Sequence, residues 1–127
     1  MEGEKWTVDV RNGYVRLEST YHGETSYHEF CYWNCADGKH KLFAMNSGYV
    51  QNGQELMTEC TGIAIYRYDN AKRLLTLVGW GQDGLGISEE GVPLAFFRLP
   101  RMGKNLEWFT SNGKRGVLKW NGNGFSK

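Results

Sequence analysis

Five side chains in the first half of the sequence carry the atoms that metal ions and disulfides need. They are His28, Cys31, Cys35, His40 and Cys60. A structural zinc site usually takes a pair of cysteines from a tight turn, whereas Tyr-Trp-Asn between Cys31 and Cys35 is typical of an aromatic strand. We therefore expect no metal site.

The odd number of cysteines leaves the redox state open. Residues four apart in a continuous strand are ~13 Å apart, so Cys31 and Cys35 can form a disulfide only if the strand bends between them. We predict at most one disulfide, which includes Cys60, and at least one free thiol. Buried free thiols are the favoured state.

A glycine-rich segment from Gly79 to Gly84 matches the dinucleotide-binding fingerprint and follows an apolar strand at 74–78. The fingerprint works by opening a helix whose N-terminus holds a pyrophosphate, with an acidic residue about 20 positions further on. No helical pattern follows Gly84, and the region around Arg98 offers no acid. We predict a long ordered loop or lid over 79–92 and no cofactor.

Acid–base or nucleophilic chemistry would need a histidine beside a nucleophile or a carboxylate in a pocket. The nearest pairs are His22 with Glu24 and His28 with Glu29, and the acidic pair at 89–90 lies on the glycine-rich loop. None of these spacings is specific for catalysis. The sequence leans against an enzyme.

Aromatic residues make up 14% of the chain. Exposed Trp or Tyr can stack on sugar rings or anchor a protein interface, although β domains also fill their cores with aromatic residues. Trp80 stands isolated among glycines, with Asp83 beside it as a polar anchor. We predict a ligand-binding site of Trp80, Gln82, Asp83 and Trp33, with Trp80 partly exposed and Trp108 largely buried.

The elements that must position these residues are short strands joined by tight turns. Asn-Gly and Asp-Gly pairs recur along the chain and favour hairpins where apolar residues alternate on both sides. The predicted hairpins join 30–33 to 42–45, 63–68 to 74–78, and 106–110 to 117–120. Further strands are predicted at 5–10, 14–18 and 93–99.

These strands predict one all-β domain over 1–127, an antiparallel β-sandwich or open barrel of about eight to nine strands. The hairpin at 63–68 and 74–78 is apolar on both faces near its base, which is typical of a central strand pair covered on both sides. Only 50–60 favours a short helix, which Asn52 would cap.

The net charge of +1 hides an asymmetry along the chain. Residues 1–92 carry 8 Lys/Arg and 13 Asp/Glu, and residues 93–127 carry 7 and 1. The basic residues alternate with apolar residues instead of forming a run, so we expect no nucleic-acid partner. The asymmetry is explained by acidic and basic strands in one sheet, or by a weak homo-oligomer.

No apolar stretch is long enough for a membrane span, so none is expected. The opening residues MEGEK, followed by Trp6, have no apolar signal-peptide core, but a mature domain whose signal was removed would begin in the same way. The compartment stays open at this point.

Three stretches of the sequence carry a resemblance to other proteins. They are NGYVRLE, FCYWNCADGKHKLFAMN, and IAIYRYDNAKRLLTLV leading to FFRLPRMGKNLEW. With its Y-x-Y-D hairpin and its L-P-x-x-G-K-N turn, the chain resembles small uncharacterised secreted β-rich proteins of host-associated bacteria. The resemblance implies a secreted or periplasmic protein without an assigned activity, and it assigns no functional residue.

We therefore expect a non-catalytic extracytoplasmic binding module for glycan or protein ligands. The alternative is a small hydrolase or an enzyme inhibitor. A pocket that gathers His22 or His28 with Glu24, Glu29 or Asp83 would favour the enzyme, and a flat aromatic strip would favour binding.

Overall fold

The computed structural model describes residues 3–58, 61–81, 85, 95–110 and 112–126. Within them the chain is all-β, as predicted, and forms two antiparallel sheets. The strands are β1 (Gly3–Asp9), β2 (Tyr14–Tyr21), β3 (Glu24–Asn34), β4 (His40–Gln51), β5 (Gln54–Leu56), β6 (Gly62–Asp69), β7 (Leu74–Trp80), β8 (Phe96–Arg98), β9 (Leu106–Phe109), β10 (Arg115–Trp120) and β11 (Phe125–Ser126).

The large sheet has the strand order β1-β2-β3-β4-β6-β7, with β5 pairing the end of β4. The small sheet has the order β11-β10-β9-β8. Of the two predicted architectures, the open two-sheet sandwich is therefore the one observed. The number of strands exceeds the prediction because β5 and β11, with three and two residues, are too short to leave an alternating pattern.

All three predicted hairpins are confirmed as β3–β4, β6–β7 and β9–β10. Their turns are held by the residues that the sequence singled out. The Asp37 carboxylate accepts the backbone N–H of Lys39 at 2.7 Å, and the Asp69 carboxylate accepts that of Lys72 at 2.9 Å. A short polar side chain that bonds to the backbone two or three residues ahead fixes the turn locally.

The predicted helix at 50–60 is wrong. Residues up to Gln51 belong to β4, and Gln54 pairs with Gln51 as β5 begins. The two residues between them, Asn52 and Gly53, have φ of 51° and 79°. This left-handed pair suits a two-residue hairpin turn, and the pairing it permits overrides the helix propensity of the following residues.

The core lies between the two sheets. The inward residues of the large sheet include Ile63 and Ile65, and those of the small sheet include Leu106 and Leu118, all of which are fully buried. Because successive residues of a strand point to opposite faces, the residues between them point away from this core.

The basic end of the chain supplies the small sheet, so the first of the two explanations of the charge asymmetry, acidic and basic strands in one sheet, is wrong. The two parts are joined across the sandwich by an ion pair in which Arg101 Nε lies 3.0 Å from Asp9 Oδ2. The charge asymmetry along the sequence therefore becomes an asymmetry between the two layers.

Strand β7 departs from the expectation of a strand pair covered on both faces. It is the edge of the large sheet, and Leu74, Leu75, Leu77 and Val78 are all exposed. Its pairing with β6 also shifts, since Tyr66 opposes Leu77 and Ile65 opposes Gly79, which leaves Val78 as an extra residue in a β-bulge. Only β6 is buried as predicted near its start.

Candidate functional site

The face of the large sheet that points away from the core carries a row of apolar side chains. The strand registers place one residue of each strand side by side across the sheet, from its first edge to its last. In order from β1 to β7, the row is Val8, Val15, Phe30, Met45, Ala64 and Trp80. All six strands along the width of the sheet thus contribute an apolar residue to one line.

A second apolar row runs beside the first, two residues further along the inner strands. It consists of Tyr32, Phe43, Tyr66 and Leu77. The rings of Tyr32 and Phe43 are tilted against each other with centroids 5.5 Å apart. We call the ten residues of these two rows the apolar face.

The apolar face is open to solvent at its edges and at Phe30, whereas Ala64 within the first row is fully buried. The side chains of Val8, Trp80, Leu77 and Phe30 are 60%, 59%, 46% and 40% exposed. Large aliphatic and aromatic side chains in contact with one another on an open sheet form a continuous patch, which differs from apolar residues scattered singly over a surface.

Charged residues are confined to the margins of this side of the sheet. Among the described strands, the charged residues that point the same way as the apolar face are Glu4, Glu24 and Lys41. Each is the first or second residue of its strand. The centre of the surface therefore has the low charge density that is typical of the buried part of an interface.

The four residues predicted to bind ligand do not come together. Trp80 is exposed, as predicted, and ends the first row of the apolar face. Trp33 is buried at 4% exposure, where its indole N–H donates to the Lys104 carbonyl at 2.9 Å. It therefore connects the two sheets and offers no surface to a ligand. Gln82 and Asp83 lie outside the described residues.

The interior also contains aromatic contacts that explain the burial of Trp33. Its ring stacks on Trp120 with centroids 5.7 Å apart and meets the edge of Phe125 at 5.0 Å. Trp108, which was predicted to be largely buried, is partly buried and packs against the same core. Most of the aromatic excess of the composition is thus divided between the core and the apolar face.

A buried carboxylate forms the most polar site between the sheets. Glu29 is 1% exposed, and its Oε2 accepts the Tyr14 hydroxyl at 2.5 Å and lies 3.3 Å from Arg16 Nη1. Its Oε1 accepts the Asn46 amide at 2.9 Å and the Leu99 backbone N–H at 3.2 Å. Three hydrogen bonds and one ion pair engage both oxygens, which is the arrangement of a structural carboxylate.

This hydrogen-bond network connects the two sheets. Asn46 also donates to the Phe97 carbonyl at 2.6 Å, so β4 and β8 are joined through one amide. Burial raises the pKa of the Tyr14 hydroxyl, and the hydrogen bond to Glu29 raises it further. The tyrosine is therefore a hydrogen-bond donor over the whole physiological range, which is what a structural carboxylate needs.

A second carboxylate, Glu55, is less well satisfied. Its Oε1 accepts the Tyr27 hydroxyl at 2.9 Å, whereas Oε2 is buried without a hydrogen-bond partner among the described residues. Burial raises the pKa of Glu55, against an opposing effect of Arg98 and Arg16. This carboxyl is the feature closest to a catalytic acid in the described structure.

The neighbouring cleft does not complete an acid–base site. It has a volume of about 300 Å³ and is lined by Arg16, Glu29, Arg98 and Arg101, among other residues. Two carboxylates line it: Glu29, whose oxygens are engaged by the contacts above, and Glu107, whose side chain is exposed. Glu55 is not among the described residues that line this cleft, so the buried carboxyl and the cleft do not form one acid–base site.

The histidine and carboxylate pairs singled out in the sequence are also separated by the strands. His28 and Glu29 are consecutive residues of β3 and point to opposite faces. On the outer side, His28 Nδ1 lies 2.7 Å from the Ser47 hydroxyl. The Glu24 carboxylate accepts a hydrogen bond from the Gln51 amide at 3.0 Å. His22 lies in the turn between β2 and β3. The acidic pair at 89–90 lies outside the described residues.

The two described cysteines are buried and form no disulfide with each other. Cys31 and Cys35 are free, and burial raises the pKa of both. The predicted disulfide of Cys60 cannot be placed, because that residue lies outside the described part of the chain. Within the described residues no group of three or more His, Cys, Asp or Glu could hold a metal ion.

The apolar face was not foreseen from the sequence. The signal that could have revealed it is the second apolar series in β3, β4 and β6, where residues on both sides of the alternation are apolar. Comparison of the chain with protein-family models, with curated proteins and with solved structures finds no match. No helix among the described residues is long and apolar enough to cross a membrane.

Proposed function

We propose that the protein is a non-catalytic binding module that docks a protein partner on its apolar face. The observation that carries the proposal is the uninterrupted row from Val8 to Trp80 across the whole sheet. The largest apolar patch on a typical monomer covers ~300–600 Å² and is often functional. Ten residues at the spacing of strands and of alternate residues cover roughly 300 Å² of the sheet, which lies at the lower end of that range.

A protein ligand suits this surface better than a glycan. Sugar rings stack on aromatic side chains, but their hydroxyl groups also need polar partners close to the stacking ring. Across the strands the neighbours of Phe30 are Val15 and Met45, which offer no such partner. The polar pair beside them on the same face, His28 and Ser47, is hydrogen-bonded together at 2.7 Å. The margin, by contrast, holds polar residues, as the rim of a protein interface does.

Binding also suits the structure better than the hydrolase alternative. The feature that would favour an enzyme was a pocket that gathers a histidine with a carboxylate. In the described residues His28 and Glu29 point to opposite sides of β3, and both oxygens of Glu29 are engaged. An extracytoplasmic location is part of the proposal and is supported by the sequence resemblance alone.

The proposal is tested by photo-crosslinking in the organism that makes the protein. A benzoylphenylalanine residue is placed at Leu77, on the apolar face, and in a matched control at Val117, on the small sheet. The two side chains are 46% and 47% exposed. We expect a protein adduct from position 77 and none from position 117.

The interaction is then tested with purified proteins, where it should depend on the apolar face. The captured protein is identified, purified and titrated, and Leu77→Glu should weaken its binding at least ~10-fold while Val117→Glu leaves the affinity unchanged. Equal capture at both positions contradicts the proposal. Binding to an oligosaccharide array that is lost on Trp80→Ala, without any protein adduct, would favour a glycan ligand instead.

A further inference from the structure

We propose that the partner on the apolar face is a second copy of this chain, and that two copies stack with these faces in contact. The proposal rests on the proposed function, because it names the partner of the same surface. The dimer would place the two large sheets at its centre and the two small sheets outside. Three properties of the face support this occupant.

The first property is area. Six strands at a spacing of ~4.8 Å give the sheet a width of ~29 Å, and a strand of seven residues such as β1 or β7 is ~24 Å long. This side of the large sheet, the apolar face and the polar margin together, then measures roughly 700 Å² on each copy. A stable protein interface buries ~800 Å² on each partner, so a face-to-face dimer falls within the usual range.

The second property is shape. An extended peptide that added to an edge or lay on the sheet would cover the width of only one or two strands. The row from Val8 to Trp80 reaches both edges of the sheet, so a partner must be as wide as the sheet to contact the row along its length. Another copy supplies a face of equal width, and stacked sheets pack face to face at ~10 Å.

The third property is charge. A two-fold interface brings the same patch of both copies together, so a charge near its centre would lie close to the same charge on the other copy. The charges on this side of the sheet lie at strand ends, at Glu4, Glu24 and Lys41. Two copies therefore meet through their uncharged centres without placing like charges in a buried contact.

Sedimentation equilibrium of the purified protein, from low micromolar to submillimolar concentration, tests the proposal. We expect a reversible monomer–dimer equilibrium. Leu77→Glu on β7 and Val8→Glu on β1 should each weaken self-association at least ~10-fold, because each introduces a charge into the contact. Val117→Glu, at matched exposure on the small sheet, should leave the dimerisation constant unchanged.

Each variant is first shown to be folded by its circular dichroism spectrum and its urea midpoint. Leu77→Glu and Val8→Glu lie at opposite edges of the apolar face, so the proposal can still be tested if one of the two variants misfolds. Cross-links between copies of the wild-type protein, mapped by mass spectrometry, should join large sheet to large sheet. A protein that stays monomeric, or a dimer that survives both face variants, overturns the proposal.

The two proposals can fail separately. If the purified protein is monomeric but the probe at Leu77 still captures a different protein, the binding function stands and the second copy is excluded. If the probe captures nothing and the protein is monomeric, both proposals are overturned.

Discussion

Tyr27 of β3 lies across Gly48, its partner on β4, so closely that a Cβ on the glycine would collide with the phenol ring. The same ring is covered by the guanidinium of Arg16, at 4.2 Å from its centroid, and its hydroxyl bonds to Glu55. One glycine thus permits a buried tyrosine to lie against the sheet and to reach three other strands. Trp108 and Gly116 repeat the arrangement on the small sheet.

Gly48→Ala should destabilise the protein, because the methyl group forces the Tyr27 ring from its position. Overpacking of this kind costs about 1–3 kcal/mol, measured as the urea-unfolding free energy. Gly124→Ala is the control, since a Cβ there meets nothing within 4 Å. The control should change stability by less than ~0.5 kcal/mol. Equal effects of the two substitutions would contradict the close contact.

The two tryptophans predicted to share a site should differ in their effect on stability. Trp33→Ala removes a ring at 4% exposure that stacks on Trp120, and should cost about 3–5 kcal/mol in unfolding free energy. Trp80→Ala removes a ring at 59% exposure and should cost far less. If Trp80→Ala unfolds the domain, Trp80 is part of the core and is not available to a partner.

Tyr14→Phe should weaken the link between the sheets. The substitution removes the hydroxyl that donates to Glu29 at 2.5 Å and leaves a buried carboxylate one donor short. The unfolding free energy should fall by about 1–3 kcal/mol, measured by urea titration at neutral pH. Tyr21→Phe is the matched control on an exposed ring and should be neutral. A neutral Tyr14→Phe would mean that water replaces the lost donor.

Glu55 should make stability depend on pH in a definite direction. Burial raises its pKa above the ordinary 4.5, so the folded protein holds a proton at pH values where the unfolded chain has released it. The contribution of Glu55 to the unfolding free energy therefore falls as pH rises from 4.5 through the folded pKa, and is constant above it. Urea titrations of wild type and Glu55→Gln across this range measure the difference.

The stability of wild type relative to Glu55→Gln should decrease as the pH rises from 4.5 toward neutrality. The variant cancels the contributions of other groups, including the acids Asp9 and Asp69, whose pKa values are lowered. A difference that increases with pH would show that the arginines near Glu55 outweigh its burial.

The sequence predicts the local part of this fold well. Each of the three hairpins depends on a turn residue that bonds within its own turn, such as Asp37 or Asp69, and on alternation over a few neighbouring positions. Both signals are contained in about ten residues, so no knowledge of the rest of the chain is needed. The same turn chemistry at Asn52 and Gly53 should have excluded the helix at 50–60.

The surfaces depend on contacts between distant residues and could not be predicted in the same way. The chain after Ala95 covers one side of the large sheet. Trp33 points to that side and is buried, whereas Phe30 points to the other side and is exposed. The row that joins Val8 to Trp80 exists only once five strand registers are fixed. Likewise, Glu29 gains its partners Asn46 and Leu99 from 17 and 70 residues away.

The bulge at Val78 decides what kind of assembly the large sheet can form. A regular strand at an open edge offers its backbone to the edge of another molecule, and repeated pairing of that type grows into a fibril without end. In β7 the extra residue breaks the even spacing of the free N–H and C=O groups and twists the edge. Lateral pairing at this edge is thereby hindered while the apolar face beside it stays exposed, so the proposed face-to-face pair is not extended through β7.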